Sequence, residues 1–349
     1  MKHRIVGLDI GRSSIRAAQL RFTKGEQPCI EKLSQIDIPE GVFEGGEVLD
    51  HTAFSQLLIK LWNKAAFSTK HVVIAAGSLH VFAREIDVPQ MSMQRIRESL
   101  PFVLDGVLPV AADQLILDFY PIEEGVEDSG LTYKGLAIAA EKSHVDGLVN
   151  CLAAARLRPM VVDFAPFALL RANFDDAQSN KLHVYVDVGG AATYFFVARG
   201  QVPLFVRILP NGGRDMDRAV ASSLGITEQQ AEKSRQDVDL SSVAKDGVEV
   251  RTAVKSGIQE LLTGLSSTID YYEQSHSVSL RHSAKISLSG GVSRVDGFAA
   301  LLEGATGMPV QIVAKTKNAK LCDGLKIREA DEWMFTLAIG LGLAEVNRA

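Results

Sequence analysis

Residues 182–201, LHVYVDVGGAATYFFVARGQ, are the stretch that decides the fold. Its first half is apolar and β-branched up to a turn that contains Asp187, Gly189 and Gly190, and a second apolar run follows over residues 194–198. This order predicts a strand, a glycine-rich turn and another strand. Such a turn brings a carboxylate and bare backbone N–H groups to one edge of a sheet. The N–H groups can bind phosphate, and the carboxylate can hold a metal ion or a water molecule.

The start of the chain repeats this pattern. Residues 6–20, VGLDIGRSSIRAAQL, contain an apolar strand, an Asp-x-Gly turn at Asp9 and Gly11, then hydroxyl residues and a second strand. Two distant copies predict a duplicated lobe, in which each copy presents one loop to a shared cleft. Either copy taken alone also has a simpler interpretation, because Asp-x-Gly is a common β-turn signal.

Length, charge and cysteine content exclude several classes of protein. A chain of 349 residues is long for a single core, so two lobes are expected. The formal net charge of −5 and the lack of a basic run argue against nucleic-acid binding. Cys29, Cys151 and Cys322 are far apart, so neither a structural zinc nor a disulfide framework is expected, as suits a reducing cytosol. The chain starts without a signal-peptide pattern, and no apolar run approaches the roughly 20 residues that span a bilayer. Any membrane contact is therefore expected to go through a partner.

The sequence from residue 50 to residue 159 predicts a helix and a strand, followed by an inserted segment. Asp50 is a plausible N-cap for a helix over residues 50–67, and a strand over 71–76 is closed by Gly77–Ser78. The character of the chain changes over residues 79–159. The elements predicted there are a strand at 81–88, a helix at 93–104 that Pro101 should kink or end, strands at 115–120 and 133–140 joined by the acidic loop EEGVEDSG, and a helix from Ser143. They indicate a small inserted α/β subdomain.

Residues 161–174, VVDFAPFALLRANF, predict a strand that leads into a helix. Asp163 could face the cleft or cap this helix, and the capping role is favoured because aspartate is common at N-caps. The elements predicted after the opening stretch are a strand at 202–209, helices at 215–224, 228–236 and 249–276, a strand at 285–289 that leads into Gly290 and Gly291, and helices at 296–303 and 331–344. The double glycine can lie against a nucleotide's base or sugar, or it can be a plain strand–helix turn.

The order of these segments resembles the actin-like ATPase superfamily, which includes actin, heat-shock chaperones, sugar kinases, MreB and FtsA. The matching segments are the two Asp-x-Gly turns, VVDF before a helix, the strand with its double glycine and helix, and the Gly/Ala-rich terminal helix, and they span residues 7–344. The resemblance implies an α/β, actin-like two-lobed fold, in which duplicated mixed-sheet domains surround a nucleotide cleft and a small α/β subdomain is inserted. The implied domains are lobe I in residues 1–78 and 160–181, the inserted subdomain in 79–159, lobe II in 182–330, and a C-terminal helix in 331–349 that returns to lobe I.

Within this superfamily the chain most resembles the PilM family of type IV pilus assembly. The resemblance lies in GLDIGRSSIRAAQL, in the insertion with AREIDVPQMS and GLAIAAEKSHVDGLVNCLAAARLRP, and in RLRPMVVDFAPFALLRA. FtsA has an insertion at the same place but carries a C-terminal linker and an amphipathic membrane helix, which are not expected here because the sequence closes with AEVNRA. PilM relatives have an uninterrupted acidic helix where this chain has Pro101, so a shorter helix and a rearranged groove edge are expected.

The resemblance also implies the residues of a site for ATP and Mg²⁺. Asp9 and Asp187 would flank the Mg²⁺, with water molecules between. The residues implied to hold the phosphates are Gly11, Arg12, Ser13 and Ser14 on one side and Gly189, Gly190, Ala191 and Thr193 on the other. The residues implied near the nucleoside are Gly212, Gly213 and Asp215 at the sugar and Gly290, Gly291 and Val292 at the adenosine.

The resemblance to the family is incomplete at one of two further positions, and it identifies no catalytic residue. Glu232 and Arg235 stand where relatives often carry a Glu and a Lys that touch the ribose and base. Arginine keeps the charge but changes the geometry, which leaves that contact open. No residue is identified as catalytic. Asp187 and Asp163 are candidates to orient a water molecule, but each has a simpler role, as a metal neighbour and as a helix cap.

A PilM-like function would be that of an ATP-binding cytoplasmic scaffold with slow or no ATPase activity. In the family, PilM binds the cytoplasmic N-terminus of PilN, a single-span membrane protein. The implied partners are therefore a PilN-like peptide, other pilus platform proteins and further copies of the chain in a homo-oligomer or ring. The chain would lie at the inner face of the cytoplasmic membrane through its partner, with no nucleic acid and no direct membrane insertion. The alternatives are an FtsA-like cytoskeletal or cell-division protein and a small-molecule kinase of the same fold.

Overall fold

The computed structural model describes residues 3–76, 78–127, 130–175, 180–244, 247–325, 327 and 329–344. The chain divides into two compact units. Unit 1 consists of Met1–Phe174, Gln201–Val206 and Thr316–Ala349, and unit 2 consists of Asp175–Gly200 and Arg207–Lys315. Gly77 of the expected Gly77–Ser78 turn and the end of the expected 331–349 segment lie outside the described residues.

The secondary structure alternates between strands and helices along the chain. In chain order the strands are β1 (His3–Ile10), β2 (Ser14–Phe22), β3 (Cys29–Asp37), β4 (Phe43–Glu44), β5 (Glu47–Val48), β6 (His71–Ala75), β7 (Val81–Pro89), β8 (Leu115–Glu127), β9 (Gly130–Glu141), β10 (Arg158–Asp163), β11 (Leu182–Val188), β12 (Thr193–Arg199), β13 (Val202–Leu209), β14 (Ile286–Ser289), β15 (Val310–Ile312) and β16 (Lys320–Leu321). The helices are α1 (His51–Ala65), α2 (Met93–Val103), α3 (Lys142–Ala154), α4 (Ala165–Asn173), α5 (Gly213–Leu224), α6 (Glu228–Gln236), α7 (Val248–His276), α8 (Leu280–Ser283), α9 (Phe298–Thr306), α10 (Glu329–Glu332) and α11 (Thr336–Gly342).

Unit 1 is built on a six-stranded mixed sheet in the order β10-β6-β1-β2-β3-β16. Its central strand β1 runs antiparallel to β2 and parallel to β6. Successive residues of a strand point to opposite faces, so each face receives its own helices. Val6 and Leu8 share a buried cluster with residues of α1 and α3, whereas Ile5 shares one with residues of α11.

In unit 1, side chains determine where α1 begins and how closely α11 packs on α4. The predicted cap of α1 is confirmed, because Asp50 Oδ1 accepts a hydrogen bond of 2.9 Å from the N–H of Ala53. α11 packs on β1 and α4. A side chain at Gly340 would lie 2.0 Å from the carbonyl oxygen of Ala168, so this contact requires small residues. The helix predicted over 331–344 is interrupted, because a 3₁₀ turn at Trp333–Phe335 separates α10 from α11.

The insertion forms a three-stranded sheet in the order β7-β9-β8, with α2 packed on β8. The predicted acidic loop is wrong in part, because β8 and β9 continue into it and pair Glu123 with Lys134 and Gly125 with Thr132. Opposite charges across the two strands favour this pairing. Residues 128 and 129 of that loop lie outside the described residues. α2 passes through Pro101 and ends at Val103.

The strand β3 and the short strand β16 were not predicted, and together they overturn the expectation for the cysteines. β16 pairs in parallel with β3, and the N–H of Cys322 donates to the carbonyl oxygen of Ile30 at 3.0 Å. Cys29 and Cys322 are joined by a disulfide, with Cα atoms 5.2 Å apart. The pairing bridges 293 positions of the chain, so spacing alone could not reveal it. Cys151 is a buried free thiol.

Unit 2 repeats the strand arrangement of unit 1. Its strands β12, β11, β14 and β15 are neighbours in this order in one sheet, and β11 runs antiparallel to β12 and parallel to β14, as β1 does to β2 and β6. The predicted long helix is confirmed as α7, which packs on α5 and α9. In the part of the chain that the structure describes, every helix is too short or too polar to cross a membrane.

Candidate functional site

The turn between β1 and β2 and the turn between β11 and β12 have the same geometry. In unit 1 the N–H of Gly11 donates to the carbonyl oxygen of Ser14 at 3.0 Å. In unit 2 the N–H of Gly189 donates to the carbonyl oxygen of Ala192, also at 3.0 Å. Asp9 and Asp187 occupy equivalent places two residues before the glycine of each turn. The duplication expected from the sequence therefore extends to the hydrogen bonding of the turns.

Asp9 is a half-buried carboxylate whose negative charge is offset only in part. Its side chain is 13% exposed, and Nη1 of Arg16 lies 3.8 Å from its Oδ2. Burial raises the pKa of the Asp9 carboxyl, and Arg16 opposes this shift only in part. A cation bound beside Asp9 would neutralise the rest of the carboxylate's negative charge, so this carboxylate fits a role as a metal neighbour.

The remaining residues of the unit 1 turn differ in exposure. Gly11 and Arg12 are half-buried, Ser13 is exposed, and Ser14 is buried as the first residue of β2. The carbonyl oxygen of Ser13 accepts a hydrogen bond of 2.9 Å from the N–H of Ile38. This bond fixes the back of the turn and leaves the Ser13 side chain at the surface.

Asp187 is held by a neighbour in the sheet of unit 2. Ser289, its partner in the parallel pairing of β11 with β14, donates its hydroxyl to Asp187 Oδ2 at 2.6 Å. The bond orients the carboxylate at the end of β11. Ser289 directly precedes the double glycine at Gly290 and Gly291, so the bond also connects two segments of the predicted site.

The start of α5 is bound to the β11–β12 turn through backbone groups. The N–H of Gly213 donates to the carbonyl oxygen of Gly189 at 2.9 Å, and the N–H of Arg214 donates to that of Gly190 at 2.8 Å. Ala191 lies half-buried at the tip of the same turn. Two of the predicted glycine segments therefore form one continuous backbone surface within unit 2.

Two predicted ligand side chains support this surface by hydrogen bonds of their own. The hydroxyl of Thr193, which is fully buried, donates to the carbonyl oxygen of Asn211 at 2.8 Å. Asp215 Oδ2 accepts a hydrogen bond of 2.8 Å from the N–H of Gly212 and so caps α5. In this structure both side chains shape the loop that precedes α5.

A substitution at Gly212 tests how closely the loop before α5 packs on the backbone of the β11–β12 turn. A Cβ atom there would lie 2.6 Å from the carbonyl oxygen of Gly189 and 2.9 Å from that of Gly190. We expect Gly212→Ala to lower the free energy of unfolding by about 1–3 kcal/mol, because backbone must move to admit the methyl group. The matched control is Gly291→Ala, where no described atom outside its chain neighbours lies within 4 Å of the added Cβ. Urea unfolding should change by less than about 0.5 kcal/mol in this control. Equal losses in both variants would contradict the close packing of the turns.

The predicted adenosine segment meets the same surface. Gly290 has φ +87°, and a 3₁₀ turn over Gly291–Arg294 follows it. A Cβ atom on Gly213 would lie 3.2 Å from Cγ2 of Val292 and 3.3 Å from Nη2 of Arg235. Four predicted segments of unit 2 are therefore brought together: the β11–β12 turn, the start of α5, α6 and the turn after β14.

Arg235 points inward from α6. Its Nε donates to Asp217 Oδ1 at 2.6 Å, and the two side chains are 6% and 0% exposed. The guanidinium therefore lies beneath Gly213 and is paired within the unit. Glu232, the other predicted residue of α6, is half-buried. The sequence alone could not distinguish this inward pairing from a contact with a ligand.

The capping role favoured for Asp163 is wrong. α4 begins after Phe164, and its N-cap has no side-chain hydrogen bond. Asp163 Oδ1 instead accepts from the N–H of Phe164 at 2.8 Å, and Oδ2 pairs with the guanidinium of Arg171. Pro166 lies in the first turn of α4 and has no N–H, which reduces the need for a capping acceptor. Asp163 is thus neutralised inside unit 1.

Comparison with known proteins gives the following findings. The sequence matches the family described as Type IV pilus assembly protein PilM over residues 7–346. No curated protein is a significant sequence match. A solved PilM-PilN type IV pilus biogenesis complex contains a chain that is 24% identical, with a TM-score of 0.83 and 98% of both chains covered.

More distant structures share the fold. The ethanolamine utilization protein EutJ from Carboxydothermus hydrogenoformans is 15% identical, with a TM-score of 0.57, and the match covers 98% of this chain and 89% of that one. An MreB protein of Spiroplasma citri bound to ADP is 12% identical, with a TM-score of 0.56 over 99% of this chain and 97% of that one. These likenesses place the chain among proteins with the actin-like fold, as expected from the duplicated sheets.

Proposed function

The chain belongs to the family of type IV pilus assembly protein PilM, and from this premise we propose that it is an ATP-binding scaffold of the pilus assembly platform. In this proposal it works in the cytoplasm, at the inner face of the cytoplasmic membrane, and reaches the membrane through a partner. The observation that carries the nucleotide proposal is the pair of equivalent Asp-x-Gly turns, Asp9–Gly11 in unit 1 and Asp187–Gly189 in unit 2.

The chemistry of the turns fits a magnesium nucleotide. The charge of Asp9 is offset only in part by Arg16, 3.8 Å away, and Asp187 is oriented by Ser289, so both carboxylates suit a hydrated Mg²⁺. The ion would neutralise part of the phosphate charge. The proposed phosphate contacts are the unit 1 residues Gly11, Arg12, Ser13 and Ser14 and the unit 2 residues Gly189, Gly190, Ala191 and Thr193.

The nucleoside is proposed to bind on the surface formed by the glycine segments of unit 2. The proposed sugar contacts are Gly212, Gly213 and Asp215, and the proposed adenosine contacts are Gly290, Gly291, Val292, Glu232 and Arg235. Arg235 would support the nucleoside surface from behind Gly213, because its guanidinium is buried against Asp217. Gly291 is open to an approaching base, since an added Cβ there meets no described atom within 4 Å.

Slow or absent turnover is proposed because both candidate bases already have partners. Hydrolysis needs a residue that orients the attacking water. Asp163 is paired with Arg171, and Asp187 is engaged by Ser289. We therefore propose that the bound nucleotide holds a conformation to which partners bind, and that its turnover is not the main function.

A titration of the full chain with ATP, with and without Mg²⁺, tests this function. We expect one nucleotide per chain, tighter binding with Mg²⁺, and little ADP released over the experiment. Absence of ATP binding in either condition would contradict the proposal. Rapid phosphorylation of a sugar or another small hydroxyl compound would favour the kinase alternative instead.

The proposed partner is the cytoplasmic N-terminal peptide of a PilN-like single-span membrane protein. Support comes from the solved PilM-PilN complex, whose PilM is similar to this chain, and from the surface of the insertion. α2 ends in an apolar segment, in which Phe102 is 84% exposed and Val107 is 51% exposed. Single exposed apolar side chains are common on protein surfaces, whereas a contiguous group of them marks an interaction site. Phe102, Val103 and Val107 lie within six residues of one another and are all exposed. Binding to other platform proteins and to further copies of the chain is also proposed.

Phe102 offers a test of this surface. We expect Phe102→Ala to weaken binding of the PilN-like peptide about tenfold, because a large exposed aromatic side chain is a typical anchor in an interface. Its effect on the free energy of unfolding should be small, since the ring is exposed. Val126→Ala is the matched control, because Val126 is 80% exposed on β8 of the same insertion. Fluorescence anisotropy of a labelled peptide measures both. Unchanged affinity in Phe102→Ala would exclude this end of α2 from the peptide site.

A further inference from the structure

A cluster of histidine and glutamate side chains lies in unit 1, apart from the two turns. Glu47 is on β5, and His80 is the last residue of a 3₁₀ turn that leads into β7. Glu141 ends β9, and His144 follows in the first turn of α3. The cluster therefore joins the β4–β5 hairpin to the start of the insertion, at His80, and to the end of its last strand, at Glu141.

The two imidazole rings are held in a common orientation. Their Nδ1 atoms face one carboxylate: His80 Nδ1 lies 3.2 Å from Glu141 Oε1, and His144 Nδ1 lies 3.5 Å from Glu141 Oε2. Their Nε2 atoms face the hairpin: His144 Nε2 lies 2.9 Å from Glu47 Oε1, and His80 Nε2 lies 3.0 Å from the carbonyl oxygen of Gly45. The rings are stacked with centroids 3.2 Å apart.

The two rings can adopt more than one tautomer, because His144 Nδ1 also lies 3.4 Å from the hydroxyl oxygen of Ser143. The tautomer that leaves both Nε2 atoms able to bind a cation is the one in which each Nδ1 donates to Glu141. A neutral imidazole carries one N–H, and if Nδ1 of each ring donates to Glu141, each Nε2 presents a lone pair to an oxygen. His144 Nε2 is buried, and among the described residues it makes no hydrogen bond, although Glu47 Oε1 is close. The His144 side chain is only 6% exposed, so water reaches it poorly.

A cation beside the Nε2 atoms would remove this conflict, and two kinds of cation are conceivable. Protonation of one ring would let it donate from both nitrogens, but it would place that positive charge directly against the stacked neighbouring ring. A divalent metal ion would instead accept both lone pairs from neutral rings and would balance the Glu47 carboxylate.

We propose that Glu47, His80 and His144 form a binding site for a divalent transition metal, with Zn²⁺ as the best fit. One ligand atom from each of these residues lies within 4.8 Å of the others. Two imidazole nitrogens with one carboxylate oxygen suit Zn²⁺, whereas Mg²⁺ and Ca²⁺ prefer oxygen ligands alone. The ring planes are now only 15° apart, so binding requires the two imidazoles to rotate until both Nε2 lone pairs point at one ion.

Glu141 is a positioning residue in this site. A metal-bound histidine commonly donates its other N–H to a carboxylate, which fixes the tautomer and orients the ring. Glu141 stands in that position toward both rings. The Glu47 side chain is 56% exposed and provides a route for the ion from solvent. Metal binding would tie the β4–β5 hairpin to one end of the inserted sheet, where β7 begins and β9 ends.

The test is a titration of the untagged, EDTA-treated full chain with Zn²⁺, with bound metal counted by mass spectrometry. We expect one equivalent of Zn²⁺ to bind with a micromolar or lower Kd and excess Mg²⁺ not to compete. His80→Gln should weaken binding at least 100-fold, and Glu141→Gln should weaken it 10- to 100-fold. His71→Gln is the matched control, because His71 is exposed on β6, and it should bind as the unchanged chain does.

A variant at an exposed ligand separates loss of metal binding from loss of folding. Glu47→Gln alters a side chain that is more than half exposed, so the metal-free variant should melt at the same temperature, and its Zn²⁺ affinity should fall at least tenfold. His51 Nδ1 and Cys151 Sγ, 3.3 Å apart, form another pair of ligands, and Cys151→Ser should not reduce binding. The proposal is overturned if the unchanged chain takes up no Zn²⁺, if Glu47→Gln and His80→Gln both bind normally, or if Cys151→Ser abolishes binding.

Discussion

Arg235→Ala is expected to lower the free energy of unfolding by about 3–5 kcal/mol, because it leaves the Asp217 carboxylate buried without its cation. Arg235 Nε and Asp217 Oδ1 lie 2.6 Å apart, and the Asp217 side chain is 0% exposed. The loss should be measured by urea unfolding followed by far-UV circular dichroism. Trp62 and Trp333 both belong to unit 1, so tryptophan fluorescence would not report on the unit that contains the pair.

Two controls separate the buried pair from a general effect of removing an arginine. Arg218→Ala removes a guanidinium from α5 that is 54% exposed and paired with Glu228, and it should cost about 1 kcal/mol or less. The double variant Arg235→Met with Asp217→Leu removes both charges and should be more stable than Arg235→Ala. If Arg235→Ala were as mild as Arg218→Ala, the buried pair would not be a main support of unit 2.

Asp9→Asn is expected to weaken binding of Mg·ATP about 100-fold, which corresponds to about 2.7 kcal/mol. The amide keeps the shape of the side chain but removes the negative charge proposed to face the hydrated ion. The nucleotide-free variant should be at least as stable as the unchanged chain at neutral pH. The reason is that burial raises the pKa of Asp9 in the folded state, so the ionised carboxylate opposes folding once the pH exceeds its ordinary range.

This combination of results distinguishes a metal neighbour from a structural residue. Isothermal titration gives the affinity, and thermal unfolding gives the stability in the absence of nucleotide. The control is Asp163→Asn, which breaks the pairing with Arg171 and should reduce stability while keeping the Mg²⁺ dependence of ATP binding. Unchanged ATP affinity in Asp9→Asn would refute the metal role of Asp9.

The local patterns were sufficient to predict the duplicated turns and most of the elements around them. Asp9 and Asp187 each follow an apolar run and precede a glycine, and such a signal lies within a few residues. The same holds for Asp50, whose capping bond is made to a residue in the first turn of α1. Strands and caps of this kind depend on neighbours in sequence, which is why they can be predicted without the fold.

Contacts between distant segments could not be predicted in this way. β16 is two residues long and pairs with β3 across most of the chain, so neither the strand nor the cysteine pair has a local signature. Arg235 was placed in the site by resemblance alone, and only packing shows that it turns toward Asp217. Glu141 and His144 form a Glu-x-x-His spacing that could have been noticed, but His80 and Glu47 are brought to it by the fold.

The central claim is that the duplicated turns hold a nucleotide whose binding governs the contact with a membrane partner. The most direct measurement is a titration of the full chain with the N-terminal peptide of a PilN-like protein, with and without Mg·ATP. We expect the peptide to bind, and Mg·ATP to change its affinity by about fivefold or more, the usual lower range for coupling between sites. No binding in either state, or an affinity that Mg·ATP leaves unchanged, would contradict this role of the nucleotide.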